Sequence, residues 1–242
     1  MYFPDVMSLK QFYASEMGET VQAVLRRRLQ RIWPPLISTE ALLALGYAVP
    51  FLGERELQHD VAIAMPATTG ALYFPAGESN RVALVHDDAL PFPDQAFNRV
   101  FLVHALEHCE RMEATMREAA RVLVPGGRIL AVVPSRIGVW AQSHMSPFGY
   151  GRPFSVHQMR ELLGSAGLTY LRHQAALAVP PFSTRWLLAC MPYAEAAAAL
   201  LAPRFGGLLL VEAEKQIYAS LAAPARAALK PVMVPVASVQ PA

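Results

Sequence analysis

Two histidines, His104 and His108, stand where a proton could be moved. They follow Arg99–Val103, RVFLV, an apolar run of strand length. In an open α/β sheet the carboxyl ends of the strands face the ligand crevice. A histidine there titrates near neutral pH and can serve as a general base. His104 comes directly after Val103 and is expected to point into that crevice. The same imidazole can equally be a buried group satisfied by its neighbours. Asp87 and Asp88 lie in the turn-rich loop HDDALPFPD, where they either hydrogen-bond a polar ligand or are simply solvated. Trp140, Phe148 and Tyr150 form an aromatic loop with Gly149 and Gly151. They either cover a flat apolar acceptor or pack against the final helix.

The elements that must position these groups are legible in the hydrophobic pattern. Residues 98–134 read as one strand, helix and strand. Met112, Met116, Ala119, Ala120 and Leu123 recur at helical spacing over Met112–Val124, and Pro125-Gly126-Gly127 is expected to stop that helix. Arg128–Val133, RILAVV, is the second strand, which implies a parallel pair with a right-handed crossover. Further strands are expected at Ala41–Leu45, Asp60–Met65, Arg81–Val85, Leu168–Val179 and Gly207–Ala213. The chain is therefore α/β, with seven strands, mostly parallel, and an antiparallel pair at the C-terminal end. One amphipathic helix is expected over Ser8–Trp33 with Ser8 as its cap, a short one over Phe51–Gln58, and one following the cap Ser155 and stopping at Gly167. An alanine-rich helical insertion is expected over Ser183–Ala202. This divides the chain into a helical segment (1–36), the α/β domain (37–221) and a proline-rich tail (222–242) expected to be disordered.

Composition narrows the function. The 242 residues are 54% hydrophobic, with 21 basic against 19 acidic residues, so no electrostatic footprint for nucleic acid is present. The run Arg26-Arg27-Arg28 with Arg31 reads as a solvated helix end, where cations are favoured, rather than a lipid or RNA patch. Cys109 and Cys190 form no CxxC, and each is expected to be a small buried apolar group in a reducing compartment. The opening MYFPDVMSLK lacks the pattern of a signal peptide, and Pro203 and Arg204 interrupt the longest apolar stretch, Ala196–Val211. A soluble, cytoplasmic protein without a transmembrane segment is expected.

Three stretches taken together carry a family resemblance: DDALPFPDQAFNRV (Asp87–Val100), ALEH (Ala105–His108) and REAARVLVPGGRILAVVP (Arg117–Pro134). With seven strands at this spacing, residues 40 to 215 resemble the class I S-adenosylmethionine (SAM) methyltransferases, type 11 group, whose sheet is Rossmann-like. The resemblance implies SAM as cofactor, contacted at Gly46, Tyr47, Ala48, Met65, Asp87, Asp88, Ala89 and Val103. It implies His104 and His108 as candidate bases and Trp140, Phe148 and Tyr150 as acceptor contacts. Methyl transfer needs alignment and removal of a proton, so the absence of a nucleophile is no obstacle.

Three departures from the family pattern bear on that expectation. In the glycine turn after the first strand, Ala44 replaces the acid, Ala48 the second glycine and Pro50 the third. Ala64, Met65 and Pro66 stand where an acid usually grips the ribose. Asn98 replaces an aspartate. A hydrogen bond to a charged group is worth about 1.5–3 kcal/mol, so losing the ribose acid weakens cofactor binding roughly ten- to a hundredfold unless another group substitutes. Two functions stay open: methyl transfer to a small or aromatic acceptor, and a pseudo-methyltransferase serving as a partner-binding or regulatory subunit. A nicotinamide-dependent dehydrogenase is excluded, since neither G-x-G-x-x-G nor a ribose acid is present.

Overall fold

The computed structural model describes residues 5–181, 190–191, 193–198 and 205–216. Seven strands form one sheet: β1 (Ala41–Gly46), β2 (Asp60–Pro66), β3 (Val82–Val85), β4 (Phe97–Val103), β5 (Leu123–Pro134), β6 (Leu168–Ala176) and β7 (Leu208–Lys215), in the order β3-β2-β1-β4-β5-β7-β6. The first five strands pair in parallel, and β7 runs antiparallel between β5 and β6. The expected α/β architecture with a closing antiparallel pair is therefore the one observed.

Side chains alternate across the central strands with a period of two. Leu42, Ala44, Phe101, Val103, Leu130 and Val132 join one core cluster. Leu43, Leu45, Val100, Leu102, Ile129 and Ala131 join the other. The first cluster is covered by α1 (Val6–Tyr13) and α2 (Glu16–Ile32) through Leu9, Val21 and Leu25. The second is covered by α4 (Met112–Val122) and α5 (Val156–Ser165) through Met116, Ala119, Met159 and Leu163. Apolar residues on both faces are what a sheet buried between two helical layers requires.

Several boundaries differ from the sequence-based expectation. Ser8–Trp33 is two helices, not one. Asp5 caps the first by accepting from Ser8 N, and Ser15 caps the second by accepting from Gly18 N. The fold-back is tight at Gly18, where a Cβ would lie 1.9 Å from the Phe12 carbonyl oxygen. The helix expected over Phe51–Gln58 is reduced to a 3-10 turn, Val49–Phe51, and a four-residue helix, α3 (Glu54–Leu57). Pro125-Gly126-Gly127 lies inside β5 instead of capping α4. The chain becomes extended at Leu123, which pairs with Phe97, and the register shifts before Arg99 pairs with Arg128. Strand β6 stops at Ala176 because Leu177 takes φ +56°. Residues 190–191 and 193–198 are helical. The rest of the expected insertion and the expected C-terminal tail lie outside the described residues. No helix among the described residues is long and apolar enough to cross a membrane.

The C-terminal end of α2 is pinned to the sheet by a buried carboxylate. Glu212 on β7 accepts from Trp33 Nε1 at 3.1 Å and from Arg172 Nε at 2.6 Å, and Arg128 approaches it at 3.4 Å. Arg172 also donates to the Ile32 carbonyl at 2.7 Å. A cation is favoured at that end of a helix. This anchoring sets where α1, at the other end of the pair, meets the carboxyl ends of the strands.

Candidate active site

The segment after β4 is held in an uncommon conformation. His104 takes φ +51°, and the next residues form a single 3-10 turn, Leu106–His108. The reversal at His104 turns its side chain back toward Glu107 in that turn. His104 Nδ1 approaches Glu107 Oε1 at 3.3 Å. His104 and Glu107 are fully buried and His108 is 9% exposed. Backbone strain at a non-glycine residue persists only where the surroundings fix it. Here packing does so from two sides. Gly46, at φ +90°, crosses β4 so closely that a Cβ would sit 2.2 Å from the Val103 carbonyl oxygen, and the Phe148 ring stacks on the His104 imidazole at 4.7 Å.

The other imidazole nitrogen meets a residue from the far end of the chain. Tyr13, at the end of α1, places its hydroxyl 2.8 Å from His104 Nε2. Its ring stacks on Tyr47 at 6.0 Å and meets Phe51 edge-on at 5.7 Å. Tyr47, Phe51 and His104 thus form a pocket around one phenol ring. Burial pushes the Tyr13 hydroxyl well above its ordinary pKa, reinforced by Glu107 and Tyr47, and pushes Tyr47 up to about 12, so both phenols are neutral. Burial also pushes the Glu107 carboxyl up. Its contacts with His104 and His108 more than offset that, holding it below the usual carboxylate value. Burial lowers the pKa of His108, against the opposing pull of Glu107.

The remaining residues expected at the site are placed as follows. Gly46, Tyr47, Ala48, Met65 and Val103 come together at the carboxyl ends of β1, β2 and β4, and Tyr47 and Met65 are buried at 3% and 1% exposure. Asp87 is not simply solvated: it accepts from Cys109 Sγ at 2.8 Å and from Thr115 Oγ1 at 3.3 Å. Asp88 pairs with Arg111 at 3.0 Å. The Ala89 N–H donates to the His86 carbonyl at 3.1 Å. Trp140 is core, donating to the Val179 carbonyl at 2.7 Å and lying against Gly207. Phe148 reaches His104, whereas Tyr150 is half-buried and donates to the His144 carbonyl at 3.2 Å. Cys109 is buried as expected, but Cys190 is exposed. Glu107 and Tyr13 were not singled out from sequence. H-x-x-E-H spacing signals the first, since a helical turn gathers positions i, i+3 and i+4. No local pattern signals the second, which is 91 residues from its partner.

These residues fit an adenosyl group in part. Gly46, at φ +90°, keeps the tight turn after β1 that the glycine motif provides. No carboxylate ends β1 or β2, and Asp87 and the Ala89 N–H are committed to internal partners. Two cavities lie elsewhere. One, of about 750 Å³, runs behind Phe51 between α2 and α3. The other, of about 500 Å³, lies beside α5.

Known proteins resemble part of this chain in sequence and most of it in fold. Residues 59–131 match the type 11 methyltransferase-domain family. Over 70 residues the chain is 36% identical to a ubiquinone/menaquinone biosynthesis C-methyltransferase of Bordetella avium, covering 29% of this chain and 25% of that one. Over 76 residues it is 37% identical to the 27-O-demethylrifamycin SV methyltransferase of Amycolatopsis mediterranei, covering 29% and 28%. The chain thus spans about a quarter of the length of these curated relatives. In fold it resembles a SAM-dependent methyltransferase of Thermotoga maritima, described as a possible histamine N-methyltransferase. The TM-score is 0.58 at 14% identity, over 87% of this chain and 96% of that one.

Proposed function

We infer that this chain is a class I SAM-dependent methyltransferase and that it transfers a methyl group to the hydroxyl of an aromatic acceptor. The observation that carries this reading is the Tyr13 side chain, a phenol whose ring is held by Tyr47 and Phe51 and whose hydroxyl meets His104 Nε2 at 2.8 Å. A pocket that takes this phenol from the chain itself can take one from solution once α1 withdraws.

SAM, when bound, supplies the methyl group as an electrophile. Gly46, Ala48 and the loop through Asp87 to Ala89 are the residues that would hold it, with Asp87 exchanging its internal partners for the ligand. The protein's own contribution is to align the acceptor and remove its proton. With Glu107 facing Nδ1, the His104 tautomer protonated at Nδ1 is favoured and Nε2 is left to accept. Nε2 takes the hydroxyl proton as the new bond to oxygen forms, and the Glu107 carboxylate stabilises the resulting imidazolium. Phe148, stacked on the ring, keeps water from that proton. His108 is not required as a base in this scheme.

Calorimetric titration with SAM and with S-adenosylhomocysteine tests the cofactor half. Binding in the micromolar range is expected. Saturating ligand that neither releases heat nor raises Tm would instead assign the chain to the partner-binding class of methyltransferase-like scaffolds.

A further inference from the structure

Glu107, in the turn after β4, differs in one respect from Glu212, a fully buried carboxylate on β7. Glu212 is answered by Trp33, Arg128 and Arg172. Neither oxygen of Glu107 accepts a hydrogen bond, and neither does His104 Nδ1 take part in one, although the two residues approach to 3.3 Å. A buried carboxylate is stabilised by a cation placed beside it. One ligand atom each from His104, Glu107 and His108 lies within 4.8 Å of the other two.

We propose that His104, Glu107 and His108 form a binding site for a divalent first-row transition ion, with Zn²⁺ the species that this two-histidine, one-carboxylate set suits. Zinc binds imidazole nitrogen at about 2.0–2.1 Å and carboxylate oxygen at about 2.0–2.2 Å, so two ligands of a tetrahedral ion lie roughly 3.3 Å apart. The His104–Glu107 separation already has that value, and His108 closes the third edge by side-chain rotation. Tyr13 supplies the outer contact that such sites use to fix a ligating imidazole: with the metal on Nδ1, Nε2 keeps its proton and donates it to the Tyr13 hydroxyl. The same proton prevents Nε2 from accepting one from an acceptor. Metal-loaded and methyl-transferring forms of the cluster therefore exclude each other, and zinc inhibits. The site itself rests on the geometry and not on the methyl-transfer reading.

The test uses the full chain, freed of metal by chelator and titrated with Co²⁺ as a spectroscopic probe, then with Zn²⁺ in competition. A single equivalent of Co²⁺ is expected, with the visible bands of a four-coordinate ion, displaced by Zn²⁺. Glu107→Gln and His108→Asn should each weaken uptake at least tenfold while retaining the wild-type circular dichroism. Nitrogen-15 imidazole spectra of the wild type provide a check that needs no variant, because Zn²⁺ should shift His104 Nδ1 and leave Nε2 protonated. Absence of the Co²⁺ bands in the wild type, an unmoved His104 resonance, or equal uptake by both variants would overturn the proposal. Failure of the metal-free protein to transfer a methyl group, with Co²⁺ uptake intact, would count against the enzymatic reading alone.

Discussion

The hydroxyl of Tyr13 and the Nε2 atom of His104, 91 residues apart in sequence, lie 2.8 Å from each other in a pocket closed to solvent. This contact joins the first helix to the residue that leaves β4, and it determines both how the crevice is covered and what the cover resembles.

Removing only the hydroxyl measures the contact. Tyr13→Phe keeps the ring and its stacking on Tyr47 but leaves a buried imidazole nitrogen without its partner, a loss of about 1–3 kcal/mol. Urea unfolding of the two proteins should show that difference in midpoint with an unchanged m value. Equal midpoints would mean that the hydrogen bond adds nothing to stability.

Gly18 holds α1 against α2 with no room for a side chain, since a Cβ would meet the Phe12 carbonyl oxygen at 1.9 Å. Gly18→Ala should therefore detach α1 without unfolding the sheet. Hydrogen exchange of residues 6–13 should quicken at least tenfold, with β1 and β4 unaffected. Protection that survives in α1 would show that the fold-back tolerates the methyl group.

The two cysteines should separate cleanly by reactivity. Burial and the hydrogen bond to Asp87 push the Cys109 thiol far above its ordinary pKa, which keeps it protonated and unreactive. Cys190 is exposed. Iodoacetamide at pH 8 should label Cys190 alone in the native protein and both residues in urea, as read by peptide mass spectrometry. Native labelling of Cys109 would mean that the Asp87 contact opens readily.

Most of the scaffold is legible in the sequence, and the reason is local. Residues 41–46 and 99–103 each alternate between two buried faces, so their strands announce themselves, and Ser155 with Gln158 marks the start of α5 through a capping box. The misplaced boundaries share a different cause. Ser15 was absorbed into a longer helix because the turn there is dictated by Gly18 meeting Phe12. Pro125-Gly126-Gly127 resembles a helix stop until Leu123 pairs with Phe97. The site was half legible. His104 and His108 follow an evident strand, whereas the contacts of Asp87 with Cys109 and Thr115 join positions 22 and 28 residues apart that no local pattern links. Tyr13 was hidden because only the fold brings it to His104.

Acid stability should depend on a half-buried pair near the Asp87 loop, Glu118 and Arg121. The hydrogen bond from Arg121 holds the Glu118 carboxyl below its ordinary value despite partial burial, with the Leu90 N–H adding to the effect. A carboxyl with a depressed folded-state pKa contributes stability that is complete above the unfolded value and disappears as pH falls through the folded one. Glu118→Gln should therefore lower the urea midpoint at pH 7, with the gap to wild type narrowing below about pH 4. A gap of constant size across that range would remove the charge of Glu118 from the explanation.

The most direct test of the aromatic-acceptor reading replaces Tyr13 with a molecule of the same shape. In Tyr13→Ala the vacated pocket should take p-cresol, the side chain of tyrosine as a free compound, and p-cresol should raise the Tm of this variant but not that of the wild type. With methyl-labelled SAM the variant should then convert p-cresol to 4-methylanisole, and adding His104→Ala should abolish the conversion while p-cresol still binds. If p-cresol occupies the pocket at saturating SAM and no label reaches its oxygen, the pocket around Tyr13 is not where this protein methylates anything.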